Sequence, residues 1–267
     1  IIRLQRFIYR GVIFMINLDV LTYGFALTSD QGSFGYSTNS LITVDNTRIL
    51  VDTGPGSRRG LLYKQLSDLD LTPDDIDIVL LTHLHWDHCQ NTDMFPNSRI
   101  LVNPVEYDYA RNPKPQDHAT VQYIADMLEK MNLELVSDGD KIVEGVKVLE
   151  TPGHTKGHIS VLADLGGESI LIAGDALPDS GTVLRKLPYN VFWDVKDAQN
   201  SVEKMIDTSQ TFYPGHDRPF SFTDGDIKYL EGPEHIEVIN STDGGGSVSL
   251  TFTVHAQRPV NINIVQK

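Results

Sequence analysis

The sequence predicts an α/β protein built of two mixed β-sheets covered by helices. Three observations carry this. Short strand and helix patterns interleave from residue 15 onward, hairpin signals outnumber the long crossovers that parallel strands require, and no repeat, low-complexity tract or Pro/Gly/Ser linker divides the chain. With 267 residues, 40% hydrophobic and 22% charged, the chain can bury one sizeable core, and one domain is favoured over two.

The elements follow in order. In residues 1–14, Arg3, Arg6 and Arg10 interrupt every apolar stretch and no small-residue cleavage site follows, which makes a poor signal peptide. This segment is expected to be an N-terminal extension upstream of the native start, with the domain proper at 15–220. Strand patterns cover 17–23, 39–44 and 47–51, the last two joined as a hairpin by Asp45-Asn46. The third runs into Asp52-Thr53-Gly54-Pro55-Gly56, a glycine-rich bend. Residues 59–69 place Leu61, Leu62, Leu66 and Leu69 at helical spacing. Thr72-Pro73-Asp74-Asp75 marks a helix start with a capping hydroxyl, a preorganised proline and an acidic pair at the positive end of the dipole. The strand at 76–81 follows so closely that this helix is one turn long.

A strand at 99–102 precedes a mostly helical segment, 104–131, broken by Asn112-Pro113-Lys114-Pro115. Hairpins are expected for 141–143 with 146–149 across Glu144-Gly145, and for 158–163 with 169–173 around Gly166-Gly167. A helix at 197–206, a short strand at 211–213 and strand-like runs at 236–240, 247–255 and 260–265 complete the chain. Residues 221–267, with alternation at Val248, Leu250, Phe252 and Val254, form a C-terminal β extension that either extends a sheet of the same domain or pairs two copies as a homodimer.

Charge and cysteine content narrow the function. The net charge of −14 repels polyanions, which argues against a nucleic-acid binder. The single Cys89 cannot form an intramolecular disulfide, no run of about 18 apolar residues offers a membrane span, and a cytoplasmic location is expected.

The decisive run is His83-Leu84-His85-Trp86-Asp87-His88, directly after a strand. Three imidazoles and a carboxylate on a loop can converge on one point, which a regular strand or helix would prevent. Gly153-His154 follows the strand ending at Leu149, Gly174-Asp175 follows another, and Pro214-Gly215-His216-Asp217 a third. Each puts a His or Asp just past a strand, beside glycines that let the backbone turn tightly. Seven residues of metal-ligand type thus lie at strand ends, where open-sheet proteins build their sites.

On these motifs, from Asp52 to His216, the sequence resembles the metallo-β-lactamase fold. The resemblance implies an αβ/βα sandwich with two divalent metal ions, zinc first and Fe, Mn or Co as alternatives. It implies that His83, His85 and His154 bind one ion, that Asp87, His88 and His216 bind the other, that Asp175 bridges them, and that Asp52 orients a ligand imidazole. Two cations about 3.5–4 Å apart can share a hydroxide and stabilise the oxyanion that develops on its attack. Asp87, with a free oxygen facing that solvent, suits the role of catalytic proton shuttle.

The reading is a dinuclear metal-dependent hydrolase with a metal-bridging hydroxide, acting on a small-molecule lactone or related ester, similar to the acyl-homoserine lactonases of quorum quenching, whose Gly-His-Asp recurs at 215–217. Asp175 argues against a true β-lactamase. Those lactonases carry a Tyr shortly after the bridging Asp, whereas Ala176-Leu177-Pro178-Asp179 offers none, so Tyr189 is the candidate substitute. Tyr189 and Phe192 are the candidate substrate contacts, and Tyr107, Tyr109, Tyr123, Met127, Met131, Leu177 and Trp193 either wall an apolar pocket for an acyl chain or pack in the ordinary core, the core being favoured. The alternatives are a phosphodiesterase or organophosphate hydrolase, which needs cations such as Arg185, Lys186 or Arg218 near the metals, and a mononuclear iron dioxygenase of the persulfide type. His158 reads as a buried support for the His154 loop, Cys89 as a small buried thiol, and His118, His235 and His255 as surface or structural residues.

Overall fold

The computed structural model describes residues 5–9, 12–30, 32–231, 234–240, 246–252 and 261–262, with side chains for 15–27, 30 and 32–231. Two seven-stranded sheets face each other. The first runs Gln5–Tyr9, Val12–Thr22, Asn39–Val44, Thr47–Val51, Ile78–Leu80, Arg99–Val102 and Asn132–Leu135 in spatial order. It is antiparallel up to Thr47–Val51 and parallel beyond. The second runs Lys141–Val143, Val146–Glu150, Ile159–Leu165, Glu168–Gly174, Thr211–Pro214, Phe220–Thr223 and Asp226–Tyr229. Its one parallel pair joins Glu168–Gly174 to Thr211–Pro214.

Strand alternation builds three apolar layers. Ile78 and Leu80 face the inter-sheet core with Ile42, Ile49, Val51, Val148, Val161 and Ile172, while Val79 and Leu81 face outward beneath helices. Leu62 and Leu66 of helix Arg59–Ser67, and Ile124 and Leu128 of helix Tyr123–Leu128, cover that outer face. On the other sheet, helix Val195–Thr208 lays Val202 and Met205 against Leu162, Leu171 and Phe212. Asp194 starts this helix by accepting the Asp197 amide at 2.9 Å.

Four places depart from the sequence pattern. The strand expected at 17–23 begins at Val12 and pairs with Gln5–Tyr9 as a hairpin, so backbone from the segment set apart on composition continues the first sheet. Between Pro104–Arg111 and Tyr123–Leu128 the chain is not helical, because the proline-rich break is followed by Asp117 turning inward. Strand Asn132–Leu135 was not expected. Three of its four side chains are exposed, so no apolar alternation marks it and pairing with Arg99–Val102 creates it. The hairpin Phe220–Thr223 with Asp226–Tyr229 adds two strands to the second sheet.

Further on, Glu234–Asn240 pairs with Gly246–Phe252, and Asn261–Ile262 pairs with Asn190–Val191. Val254, His255 and most of the run expected at 260–265 lie outside the described residues, as does the side chain of His235. Among the described residues no helix is long and apolar enough to cross a membrane.

Candidate metal centre

One end of the sandwich gathers the loops that leave Thr47–Val51, Ile78–Leu80, Val146–Glu150, Glu168–Gly174 and Thr211–Pro214. They carry Asp52, the run His83–His88, His154, Asp175 and His216, all buried but for the half-buried Trp86. The sheets are joined here: the Ile159 amide donates to the Thr82 carbonyl at 2.9 Å, and the Thr38 amide to the Gly215 carbonyl at 2.8 Å. After His85 the chain makes one helical turn, Trp86–Cys89, which brings Asp87 and His88 back beside the imidazoles.

Two glycines make the packing possible. A Cβ on Gly215 would stand 2.1 Å from Asp175 Oδ1. At Gly174, where φ is +52°, a Cβ would stand 2.8 Å from His158 Nε2.

The outer nitrogen of each of five imidazoles is tied to an acceptor, which fixes its tautomer. His88 Nδ1 donates to Asp52 Oδ2 at 2.7 Å. Thr82 Oγ1 donates to the same oxygen at 2.8 Å and accepts from His83 Nδ1 at 3.0 Å. His154 Nδ1 donates to the Asn190 carbonyl at 3.0 Å, and His216 Nδ1 to the Tyr36 carbonyl at 2.9 Å. His85 is reversed, its Nε2 lying 3.1 Å from Asp117 Oδ1. Each ring therefore turns one bare nitrogen inward, Nε2 of four residues and Nδ1 of His85.

These inward atoms converge. His85 Nδ1 and His154 Nε2 face each other at 3.1 Å, two lone pairs that repel unless a cation or proton lies between them. Asp175 stands in the middle, with Oδ1 3.3 Å from His88 Nε2, and Oδ2 3.4 Å from His154 Nε2 and 3.2 Å from His216 Nε2. Asp87 Oδ2 is 3.4 Å from His216 Nε2. Three overlapping groups could each hold a metal ion: His83, His85 and His154; His83, His88 and Asp175; Asp87, His88 and His216.

The donor chemistry fits divalent metal. His83 Nε2, His88 Nε2 and Asp175 Oδ1 are buried without a hydrogen-bond partner, and each such atom costs about 1–3 kcal/mol when left so. Imidazole and carboxylate together suit zinc and also Fe, Mn or Co.

The electrostatics show competition for these lone pairs. Burial pulls His83 and His158 well below the ordinary imidazole value and takes His154 to about 4, with neighbouring rings adding to the effect. Burial acts the same way on His88 and His216. There the carboxylates of Asp175 and Asp87, joined at His88 by Asp52, outweigh it and raise both. Asp175 is held well below the usual carboxylate range despite its burial, by the rings of His216 and His88.

The other candidates are placed as follows. His158 supports the loops: its Nε2 accepts the amides of Asp175 and Ala176 at 3.0 and 3.2 Å, and its Nδ1 meets Thr151 Oγ1 at 2.9 Å. The Cys89 thiol is buried and donates to the His85 carbonyl at 3.1 Å, and His118 is exposed. Phe192 stands edge-on against His85 and His154, at 5.0 and 5.4 Å between ring centres, and Tyr189 is buried. Tyr107, Met127 and Met131 pack on the outer core of the first sheet and Leu177 in that of the second, so they serve the core. Arg185 pairs with Asp179 at 2.6 Å, Lys186 with Glu203 at 3.7 Å, and Arg218 stacks on Tyr229 at 3.9 Å.

Two buried acids escaped the sequence reading. Asp117 accepts from His85 and, at 2.8 Å each, from the Tyr109 and Thr120 hydroxyls. Glu106 accepts the Leu84 amide at 3.1 Å and the Gly157 amide at 2.9 Å, clamping the His83–His88 loop to the His154 loop. The proline-rich break before Asp117 was the available signal. Glu106, inside a regular helix pattern, had none.

Two facing mixed sheets with a His/Asp cluster at one end define a metal-binding sandwich. The model of the metallo-β-lactamase superfamily matches residues 32–216, and the chain belongs to that superfamily. It is 31% identical over 169 residues to a probable metallo-hydrolase of Methanocaldococcus jannaschii, covering 63% of this chain and 70% of the relative. It is 27% identical over 170 residues to an N-acyl homoserine lactonase of a Bacillus species, covering 61% of this chain and 63% of the relative. Among solved structures, a probable metal-dependent hydrolase from Staphylococcus aureus shares the fold, with a TM-score of 0.64, 20% identity, and coverage of 81% of this chain and 96% of that one. The chain is a metallo-β-lactamase-fold, metal-dependent hydrolase.

Proposed function

We propose that this hydrolase is dinuclear and opens lactones or related esters, with acyl-homoserine lactones as the class to test first. The observation that carries the reading is that Asp175 stands among three bare imidazole nitrogens, with Oδ1 facing His88 and Oδ2 facing His154 and His216. His83, His85 and His154 would hold one ion and Asp87, His88 and His216 the other, with Asp175 placed to serve both. Zinc is the first candidate. The two ions, when bound, supply Lewis acidity and a hydroxide nucleophile near neutral pH.

The chain's own residues do the rest. Asp52, Asp117 and the carbonyls of Asn190 and Tyr36 keep each ring's lone pair aimed inward. Asp87 takes the proton given up by the attacking water and passes it to the alkoxide oxygen released when the ester C–O bond breaks. Phe192 walls the site beside His85 and His154 and contributes an apolar contact for the acyl part, with Tyr189 as the second substrate contact. The similarity to the Bacillus lactonase supports the substrate class. The cations that a phosphodiester reading requires, Arg185, Lys186 and Arg218, are taken up by Asp179, Glu203 and Tyr229. A cytoplasmic location agrees with a site that draws on no disulfide.

The test is proton release from short-chain and long-chain acyl-homoserine lactones by the metal-loaded protein and by His88→Ala. Ring opening that collapses in the variant supports the reading. No turnover of either lactone, with two ions bound per chain, refutes the substrate class.

A further inference from the structure

Segment 190–194 is strapped to the His154 loop. The Phe192 amide donates to the His154 carbonyl at 2.9 Å, and the amides of Trp193 and Asp194 donate to the Gly153 carbonyl at 3.1 and 3.2 Å. Phe192 touches the His85 and His154 rings. Trp193, the next residue, carries two ammonium groups on its indole. Lys114 Nζ lies 4.1 Å from the ring centre and Lys156 Nζ 5.0 Å from it. Lys114 comes from the proline-rich break and also donates to the Trp193 carbonyl at 2.5 Å, while Lys156 lies two residues beyond His154 on the same loop.

Eight of the described cations are ion-paired, and Lys114 and Lys156 are among those that are not. Arg59, Lys64, Arg99, Arg111, Lys141, Arg185, Lys186 and Lys204 each have a carboxylate partner. Among the described residues neither Lys114 nor Lys156 has a carboxylate within 4.0 Å, in a protein of net charge −14. Two like charges, each within 5.0 Å of one ring centre, repel, and an anion that meets both relieves that cost. Because Trp193 is tied to the His154 loop, the corner stands in a fixed relation to the metal centre.

We propose that Lys114, Lys156 and Trp193 form an anion-recognition corner, which makes the enzyme favour, among the esters and lactones of the proposed reaction, those that carry a second, non-reacting carboxylate. The assignment rests on the hydrolase reading for the reaction and on the lysine pair for the charge. The two ammoniums hold the carboxylate and the indole face supports the chain that links it to the scissile bond, so anionic esters are preferred to neutral ones of similar size.

The experiment has a kinetic and a binding arm, both on metal-loaded protein. The kinetic arm compares kcat/KM for the mono-4-nitrophenyl ester of glutaric acid with that for 4-nitrophenyl butyrate, in the native chain and in Lys114→Gln/Lys156→Gln. The preference for the anionic ester is expected to fall about fivefold to tenfold in the variant, through KM. The binding arm titrates butanesulfonate, a poor metal ligand, against tryptophan fluorescence. Salt-sensitive binding to the native chain that weakens by a similar factor in the variant supports the corner.

An unchanged ester preference, or sulfonate binding indifferent to the substitutions, overturns it. If neither ester is hydrolysed, the hydrolase reading fails for these esters and the sulfonate titration alone decides the corner. Lys156→Gln alone, which disturbs no backbone contact, carries the same test should the double variant misfold.

Discussion

Replacing Asp117 with Asn changes neither size nor shape, so its effect isolates what the carboxylate does for His85. Asp117 accepts His85 Nε2 at 3.1 Å, the Tyr109 and Thr120 hydroxyls at 2.8 Å each, and the amides of Ala119 and Thr120 at 3.1 Å. An Asn amide group turns one of the two acceptor oxygens into a donor. On the Oδ2 side it opposes both hydroxyls, and on the Oδ1 side it opposes two amides and the imidazole. His85 can escape by moving its proton to Nδ1, which then bonds His154 Nε2 across 3.1 Å and removes the lone pair that faces the metal centre.

The expected result is a tenfold to hundredfold loss of metal affinity, about 1.4–2.7 kcal/mol. Donors left without an acceptor lower the stability of the ion-free protein by about 1–3 kcal/mol. Zinc competition against a chromophoric chelator measures the first, urea unfolding the second, and nitrogen chemical shifts report the His85 tautomer. Unchanged affinity with an unchanged tautomer refutes the claim that Asp117 sets the ring.

Four further outcomes are expected. Glu106→Ala orphans the Leu84 and Gly157 amides and unlinks two ligand-bearing loops, so unfolding free energy falls by about 1–3 kcal/mol for each amide, read from denaturant midpoints. Gly215→Ala sets a methyl 2.1 Å from Asp175 Oδ1 and is expected to lower metal content and turnover more than about tenfold while circular dichroism stays native; full metal occupancy would show that the loop gives way. Protons and metal compete for the inward nitrogens, and His88 and His216 are raised above the ordinary imidazole value of 6.5, so apparent metal affinity falls as pH falls, beginning above pH 6.5. Chelation at fixed pH is expected to lower the melting temperature, and a metal affinity flat from pH 8 to 6 would contradict this account.

The chain by itself determined the sandwich and the chemistry of its centre. Alternation in 39–44 and 47–51, the turn at Asp45-Asn46 and the helical leucines of 59–69 are local signals, and local hydrogen bonding and burial enforce them. His83, His85, Asp87 and His88 announce themselves because so many lone-pair donors in six residues have no role in a core. What lay outside local reach was whatever depends on a neighbour distant in sequence. Strand Asn132–Leu135 exists because Arg99–Val102 offers it an edge, not because its exposed side chains demand it.

The same holds for the site. Tyr107, Met127 and Met131 fit either a pocket wall or the core in sequence and are core in three dimensions, whereas Asp117 and Glu106 look like ordinary surface charges and are brought to the ligand-bearing loops by packing, as Lys114 and Lys156 are brought to Trp193. Residue type decides what an atom can donate or accept, and that is written in the chain. Which lone pair faces inward is decided by the partner on the far side of the ring, and only tertiary structure supplies that partner.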